Sequence, residues 1–237
     1  ADYVADFLVK HGVTDVFSVV GGGAMHLNDA LGHNENLKVT YNHHEQACTI
    51  AAEGYTRQTG KIAPVCVTGG PGGTNAITGV FGAYVDSIPM FVVTGQAKRE
   101  TTVWSTNLPL RQLGDQEVNI TSAVSTMTKY AKMITDPMSI RKEVEKAWFL
   151  MLNGRPGPVW LDIPGDVAST FIETDDLEGF DKQGYIDEHW ASFNQDNPVY
   201  DEQYTKDVLA KIKEAKRPVI LAGTAIRHAN QQNEFIK

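Results

Sequence analysis

Apolar and polar positions along this chain switch repeatedly between a helical and a strand period. Residues 2–11 place Val4, Phe7, Leu8 and His11 on one helical face, and Gly12 supplies the stop. Residues 15–20 read DVFSVV, a short apolar run that predicts a buried strand. Gly21, Gly22 and Gly23 break that run, and a helical pattern resumes over 25–31. A short strand is predicted at 37–41, then a helix over 43–58 with a small-residue face of Ala47, Ala51, Ala52 and Gly54. PVCVT at 64–68 is a strand, followed by the turn GGPGGTN and a helix to about Tyr84. PMFVVT at 89–94 is a further strand, and the polar, irregular residues 96–114 form a long loop of the kind that often carries function. A strand at 129–134, a helix at 139–152 and a strand at 158–163 complete the pattern.

Apolar strands separated by helices predict an α/β fold, a parallel sheet covered by helices on both faces. Ligands in such sheets sit beyond the C-terminal ends of the strands. After Pro164 the composition changes. The net charge is −8, and residues 165–200 hold nine acids against the single base Lys182, which is the whole imbalance. The organisation predicted is therefore a first domain over 1–165, a solvated acidic linker over 166–200, and the truncated start of a second α/β domain over 201–237. Within that last part a helix is predicted at 201–215, a strand at 217–223 and a helix from 229 onwards. Some 37 residues cannot bury a core of their own, so the chain reads as a fragment of a longer protein.

Composition narrows the function. No basic face is available for nucleic acid, and no apolar run reaches the roughly 20 residues of a membrane helix. Residues 1–10 lack the basic start and apolar stretch of a signal peptide, although the missing initiator Met leaves the original N-terminus open. Cys48 and Cys66 lie in apolar settings without CxxC spacing, which reads as two buried free thiols and a reducing, cytoplasmic home.

The densest chemistry is Asn42-His43-His44-Glu45-Gln46, at a strand-to-helix junction. Two readings are open. One is a capping box, with Asn42 as the cap and Glu45 reaching back to its backbone N–H. The other puts Glu45 in a dry cleft as a carboxylate that holds or shuttles a proton. No metal ligands are assigned: His43 and His44 splay about 100° apart on a helix, and HExxH fails because Cys48 stands where the second His should be. Gly70-Pro71-Gly72-Gly73-Thr74-Asn75 approaches GxGxxG with Asn75 in the third glycine position. Its backbone could hold an anion, let a flat ring approach closely, or form an ordinary tight turn. Gly21-Gly22-Gly23 misses the same pattern at His26. The phosphate-loop pattern fails around Gly60-Lys61, GxSxG is absent, and Asn119-Ile120-Thr121 matches the glycosylation acceptor only by chance.

In order, these motifs resemble the thiamine-diphosphate enzymes of the acetolactate synthase family, in their N-terminal, pyrimidine-binding domain. The resembling segments are VFSVVGGGAMHLNDAL at 16–31, HHEQACTIAAEGYTRQTGK at 43–61, VTGGPGGTNAITG at 67–79, DSIPMFVVTGQ at 86–96, LGDQEVNI at 113–120, TKYAKM at 128–133 and GRPGPVWLDIPGDV at 154–167. Residues 201–237 resemble the start of the family's central domain.

The resemblance implies that Glu45 pairs with the pyrimidine N1′ of thiamine diphosphate and so helps activate the thiazolium carbon that attacks a 2-keto acid. It implies that Gly21, Gly22, Pro71, Gly72 and Asn75 line the cofactor, and that Gln116 faces the reaction centre. Pyruvate is the donor it points to, with a carbonyl compound accepting the two-carbon unit. Val20 stands where the family usually has Pro, and Asp115 where acetolactate synthases usually have Phe; the second departure leaves the acceptor open and favours relatives with other acceptors, sugars included. Lys129 matches a Lys near flavin in some members, which keeps FAD open, while an exposed Lys is the default reading. The family binds the diphosphate through Mg2+ on a GDG…N motif of a C-terminal domain, and this chain has no GDG. The resemblance also implies a homodimer or homotetramer with active sites between subunits, so the fragment alone should be inactive. The competing reading, from a different class, is a non-catalytic nucleotide-binding module using the Gly70–Asn75 turn.

Overall fold

The computed structural model describes residues 1–189 and 201–237. These fall into two compact units, Ala1–Asp196 and Asn197–Lys237. In the first unit six strands form one wholly parallel sheet: β1 Asp15–Ser18, β2 Lys38–Tyr41, β3 Val65–Thr68, β4 Met90–Gln96, β5 Tyr130–Met133 and β6 Pro158–Pro164. Their order across the sheet is β2-β1-β3-β4-β6-β5. The helices between them are α1 Asp2–Lys10, α2 Met25–His33, α3 Glu45–Thr59, α4 Pro71–Val85, α5 Ile120–Val124 and α6 Ile140–Leu152, followed by α7 Gly165–Ala168 and α8 Lys182–Glu188.

The central strands are buried on both faces, so their side chains alternate between two cores. Cys66, Phe91, Val93, Leu161 and Ile163 meet Phe7, Leu27, Leu31, Val144 and Met151 from α1, α2 and α6. Val65, Val67, Met90, Val92 and Trp160 meet Cys48, Ala52, Ala76, Val80 and Ile120 from α3, α4 and α5. Both cysteines are free and buried, as predicted. On the second face α3 and α4 approach so closely that a Cβ at Gly79 would lie 2.3 Å from Thr49 Oγ1. That close fit fixes the two helix starts, Glu45 and Pro71, relative to each other.

Strand order reverses between β1 and β3, because the connection from β2 to β3 passes to the far side of β1. A crevice opens beyond the carboxyl ends of two strands where their connections diverge in this way. Gly21–Gly23 follows β1 there and Gly69–Gly70 follows β3.

Two expectations are corrected. The acidic stretch is not uniformly solvated: Leu177 is buried, the Arg141 guanidinium donates to its carbonyl at 3.0 Å, and the Phe180 amide donates to Glu145 Oε2 at 2.8 Å. Its acids are partly structural, since Asp181 caps α8 and Glu178 pairs with Lys142 at 2.9 Å. Charge counting missed the interleaved Leu177, Phe180 and Tyr185. The part of that stretch at 190–200 lies outside the described residues. In the second unit, the predicted helix appears as Glu202–Glu214, with the Asp201 carboxylate accepting from the amides of Gln203 and Tyr204. The predicted strand at 217–223 does not form; Val219 and Leu221 are almost fully exposed. A parallel strand draws its hydrogen bonds from neighbours, and this unit offers none among its described residues. Two short helices, Ala225–His228 and Gln232–Ile236, end the unit.

Candidate active site

The site assembles at the β1/β3 crevice. Glu45 is the first residue of α3, at the end of the short connection from β2. The capping box does not form. His44 is the cap, its Nδ1 accepting from the Gln46 amide at 3.1 Å, while Asn42 turns its amide toward Cys48 Sγ at 3.3 Å. The Glu45 carboxylate is thereby left for another partner. Asn75 Nδ2, one turn into α4, donates to Glu45 Oε2 at 3.0 Å. Glu45 is half-buried, and Gly72 stands beside its other oxygen, where a Cβ would come within 3.3 Å of Oε1.

Thr68, at the end of β3, is the hub of the glycines. Its Oγ1 accepts from the Gly23 amide at 3.1 Å. A Cβ at Gly21 would sit 2.6 Å from Thr68 Cβ, and one at Gly72 would sit 2.8 Å from Thr68 Cγ2. The two glycine turns therefore close on one threonine because Gly21, Gly23 and Gly72 lack side chains. Gly70 carries φ 61° and ψ −125°, a conformation open in practice only to glycine, and it caps α4 with Pro71 in the first turn. A groove of about 550 Å³ opens beside Gly21 and Gly22, walled by Val20, Met25 and Tyr41 among others.

Gln116 reaches the same place from the long connection between β4 and α5, which runs on past the loop predicted at 96–114. A Cβ at Gly70 would lie 2.1 Å from the Gln116 carbonyl oxygen, so the two backbones are in direct contact. Gln116 has φ 53°, in the left-handed region that few non-glycine residues adopt. The loop itself is closely organised. Glu117 accepts through Oε1 from the Val103 amide at 2.8 Å and through Oε2 from those of Leu113 and Gly114 at 2.9 and 3.1 Å. Arg99 pins its root, pairing with Asp166 at 2.7 Å and donating to the Thr135 carbonyl. Neither Glu117 nor Thr68 is singled out by the sequence: Thr68 meets an amide 45 residues away, and Glu117 joins the nearby amides of Leu113 and Gly114 to that of Val103 within an irregular segment that has no period to mark it.

The structure thus brings Glu45, Asn75, Gly72, Gly70, Gly21 and the Gln116 backbone into one neighbourhood. Gly22 and Pro71 adjoin it, both exposed. Lys129 stands apart, half-buried rather than exposed, its ammonium donating to the Asn153 carbonyl. Among the described residues no group of three or more His, Cys, Asp or Glu side chains is placed to hold a metal ion, and no helix is long and apolar enough to cross a membrane.

The site is thus a half-buried carboxylate beside side-chain-free backbone, at a strand-order reversal. Residues 1–123 match the family described as "Thiamine pyrophosphate enzyme, N-terminal TPP binding domain". The chain belongs to the thiamine pyrophosphate enzymes. It is 33% identical to the acetolactate synthase large subunit of Lactococcus lactis over 98% of its own length and 37% of that protein. It is 30% identical to the chloroplastic acetolactate synthase of Arabidopsis thaliana over its whole length and 33% of that protein. The large subunit from Buchnera aphidicola (Schizaphis graminum strain) is 33% identical over 99% of the chain and 38% of that protein. The chain spans about a third of the length of these curated relatives. The parallel α/β sheet agrees with the family, and nothing in these likenesses supports a non-catalytic nucleotide-binding module.

Proposed function

We propose that this chain supplies the pyrimidine-binding half of the active site in a thiamine-diphosphate-dependent enzyme. The complete enzyme would take a two-carbon unit from a 2-keto acid, pyruvate first, and transfer it to a carbonyl acceptor. The observation that carries this reading is the Glu45 carboxylate, held by Asn75 and left open toward Gly72.

The residues present fit an aminopyrimidine. A Cβ at Gly72 would intrude on Glu45 Oε1, so glycine there keeps that oxygen free for a ring nitrogen. Gly21, Gly22, Pro71 and Gly72 leave the backbone bare on the flanks. When bound, thiamine diphosphate supplies a carbon nucleophile and an electron sink, chemistry no side chain can provide. The protein's part is positional and electrostatic. Asn75 holds Oε2 in place, which leaves Oε1 to carry or accept a proton at the ring nitrogen. Gln116, whose backbone rests on Gly70, would present its amide to a substrate carbonyl or carboxylate. The Mg2+ that binds the diphosphate would be held by another part of the protein.

Such a site is open on one side and needs a cover. Ile50 on α3, Phe81 and Tyr84 on α4, and Trp104, Leu108 and Leu113 after β4 are exposed on the segments that carry it. An apolar display of this kind fits a homo-oligomer with the active site between subunits. Asp115, exposed next to Gln116, puts a charge near the acceptor side and favours a polar acceptor.

The test is CO2 release from pyruvate by the complete protein with thiamine diphosphate and Mg2+. Glu45→Gln keeps the shape and removes the proton site, and it should slow release by about 10²-fold or more. Equal release from both proteins would eliminate the assigned role of Glu45.

A further inference from the structure

Gln96 and Asp162 are buried on the neighbouring strands β4 and β6, within the resembling segments 86–96 and 154–167 but with no role assigned to them there. Asp162 on β6 is 2% exposed and Gln96, the last residue of β4, is 4% exposed. Gln96 Nε2 donates to Asp162 Oδ2 at 3.0 Å and to the Val118 carbonyl at 3.0 Å, while its Oε1 accepts from the Ala97 amide at 3.0 Å. On the other side the Thr94 hydroxyl donates to Asp162 Oδ1 at 2.7 Å, and Trp160 Nε1 donates to Thr94 Oγ1 at 2.9 Å. The bonds from Trp160 through Thr94 and from Gln96 run into the carboxylate, while the second N–H of the Gln96 amide runs out to Val118. Ionised, the carboxylate is acceptor-only, and together with the Val118 carbonyl and the Ala97 N–H it holds the Gln96 amide with Nε2 toward Val118.

Val118 is two residues beyond Gln116, and the Gln116 carbonyl rests on Gly70. The loop segment between them is therefore gripped twice, by the Gln96 amide and by the Gly70 turn. A left-handed residue such as Gln116 persists only where its surroundings over-determine it.

We propose that Asp162 is a positioning residue: through Gln96 it holds residues 116–118 so that Gln116 faces the reaction. The proposal rests on the reading of Gln116 given above. A sheet that needed only packing at this point would be served at least as well by an apolar pair, because a buried carboxylate without a cation is costly. An amide at 162 would turn an N–H either toward Gln96, where it meets another N–H, or toward Thr94, whose hydroxyl already accepts from Trp160; either way one of the two bonds that anchor this residue is lost or weakened.

Asp162→Asn, Gln116→Ala and their combination, made in the complete enzyme, test this. A misplacement of the loop should lower kcat about 10- to 100-fold in Asp162→Asn, with a smaller change in KM for the keto acid. The double variant should be no slower than Gln116→Ala alone, since both changes spoil one function. Trypsin should cut after the exposed Arg111 faster in Asp162→Asn than in the wild type, at unchanged far-ultraviolet circular dichroism. Losses that multiply in the double variant would overturn the proposal. Gln96→Met, similar in shape but without the amide, should reproduce the faster cleavage if Asp162→Asn fails to fold, and an unchanged rate there would also overturn it. Should Gln116→Ala leave kcat intact, the role of Gln116 falls. The cleavage rate then decides the loop's positioning alone, a rise upholding it and an unchanged rate overturning it.

Discussion

At the scale of single residues, the site depends on what is missing. Gly70 illustrates it: its φ of 61° and ψ of −125° exclude a side chain, and the Gln116 carbonyl fills the space a Cβ would take. Gly70→Ala should therefore lower stability by about 3 kcal/mol, combining backbone strain with overpacking. The check is a urea titration in which the midpoint falls at constant slope. A midpoint equal to wild type would mean that the Gly70–Gln116 contact is soft. Glu45 was legible from NHHEQ, since a carboxylate at a helix start must either cap or face a cleft. The choice between the two was not legible. It is decided by the path of the chain after β2, which makes His44 the cap and brings Asn75 from thirty residues away to the carboxylate.

Elements were legible in proportion to how far local pattern decides them. The strands of the central sheet declare themselves because both faces are buried, and the helices because their apolar stripes are continuous. The apolar run at 217–223 misleads for the converse reason: a strand is a relation between segments, and pattern cannot supply the neighbour. The pairing of β4 with β6 shows what else pattern hides. Thr94, Gln96 and Asp162 occupy strand positions that hydropathy alone would mark as surface, yet all three are buried, Thr94 and Gln96 each donating to Asp162. Burial pushes the Asp162 carboxyl up to about 6, against the bonds from Thr94 and Gln96 that pull it down. An acid whose folded value lies above its unfolded one binds more protons in the native state. Its contribution to stability is thus highest below the unfolded value and is lost as pH rises through about 6. By linkage the loss is about 3 kcal/mol. The stability of wild type relative to Asp162→Leu should fall by that amount between pH 3.8 and about 6 and level off above it. Denaturant midpoints across that window measure it, and parallel curves for the two proteins would show that Asp162 does not titrate there.

At the scale of the whole molecule, the open flank of the site and the apolar surface next to it pose one question. Glu45 is only half-buried, whereas proton sharing with a ring is most effective once water is excluded. Phe81 and Ile50 are each about half exposed on adjoining helices, at 53% and 52%. The α3–α4 pair that displays them also carries Glu45 and Asn75, and a second copy docked along that pair is the cover we propose for the carboxylate. In a two-fold interface each substitution is made twice. Losing about 2 kcal/mol per large side chain then removes about 4 kcal/mol from the dimer, roughly a thousandfold in Kd. Phe81→Asp in the complete protein should therefore halve the mass seen by sedimentation at micromolar concentration and abolish turnover, while circular dichroism stays the same. Turnover should return as protein concentration rises, because the chemical groups are intact and only their cover has been lost. A variant that stays assembled and fully active would place the subunit contact on another face and leave Glu45 to be covered by the rest of its own chain.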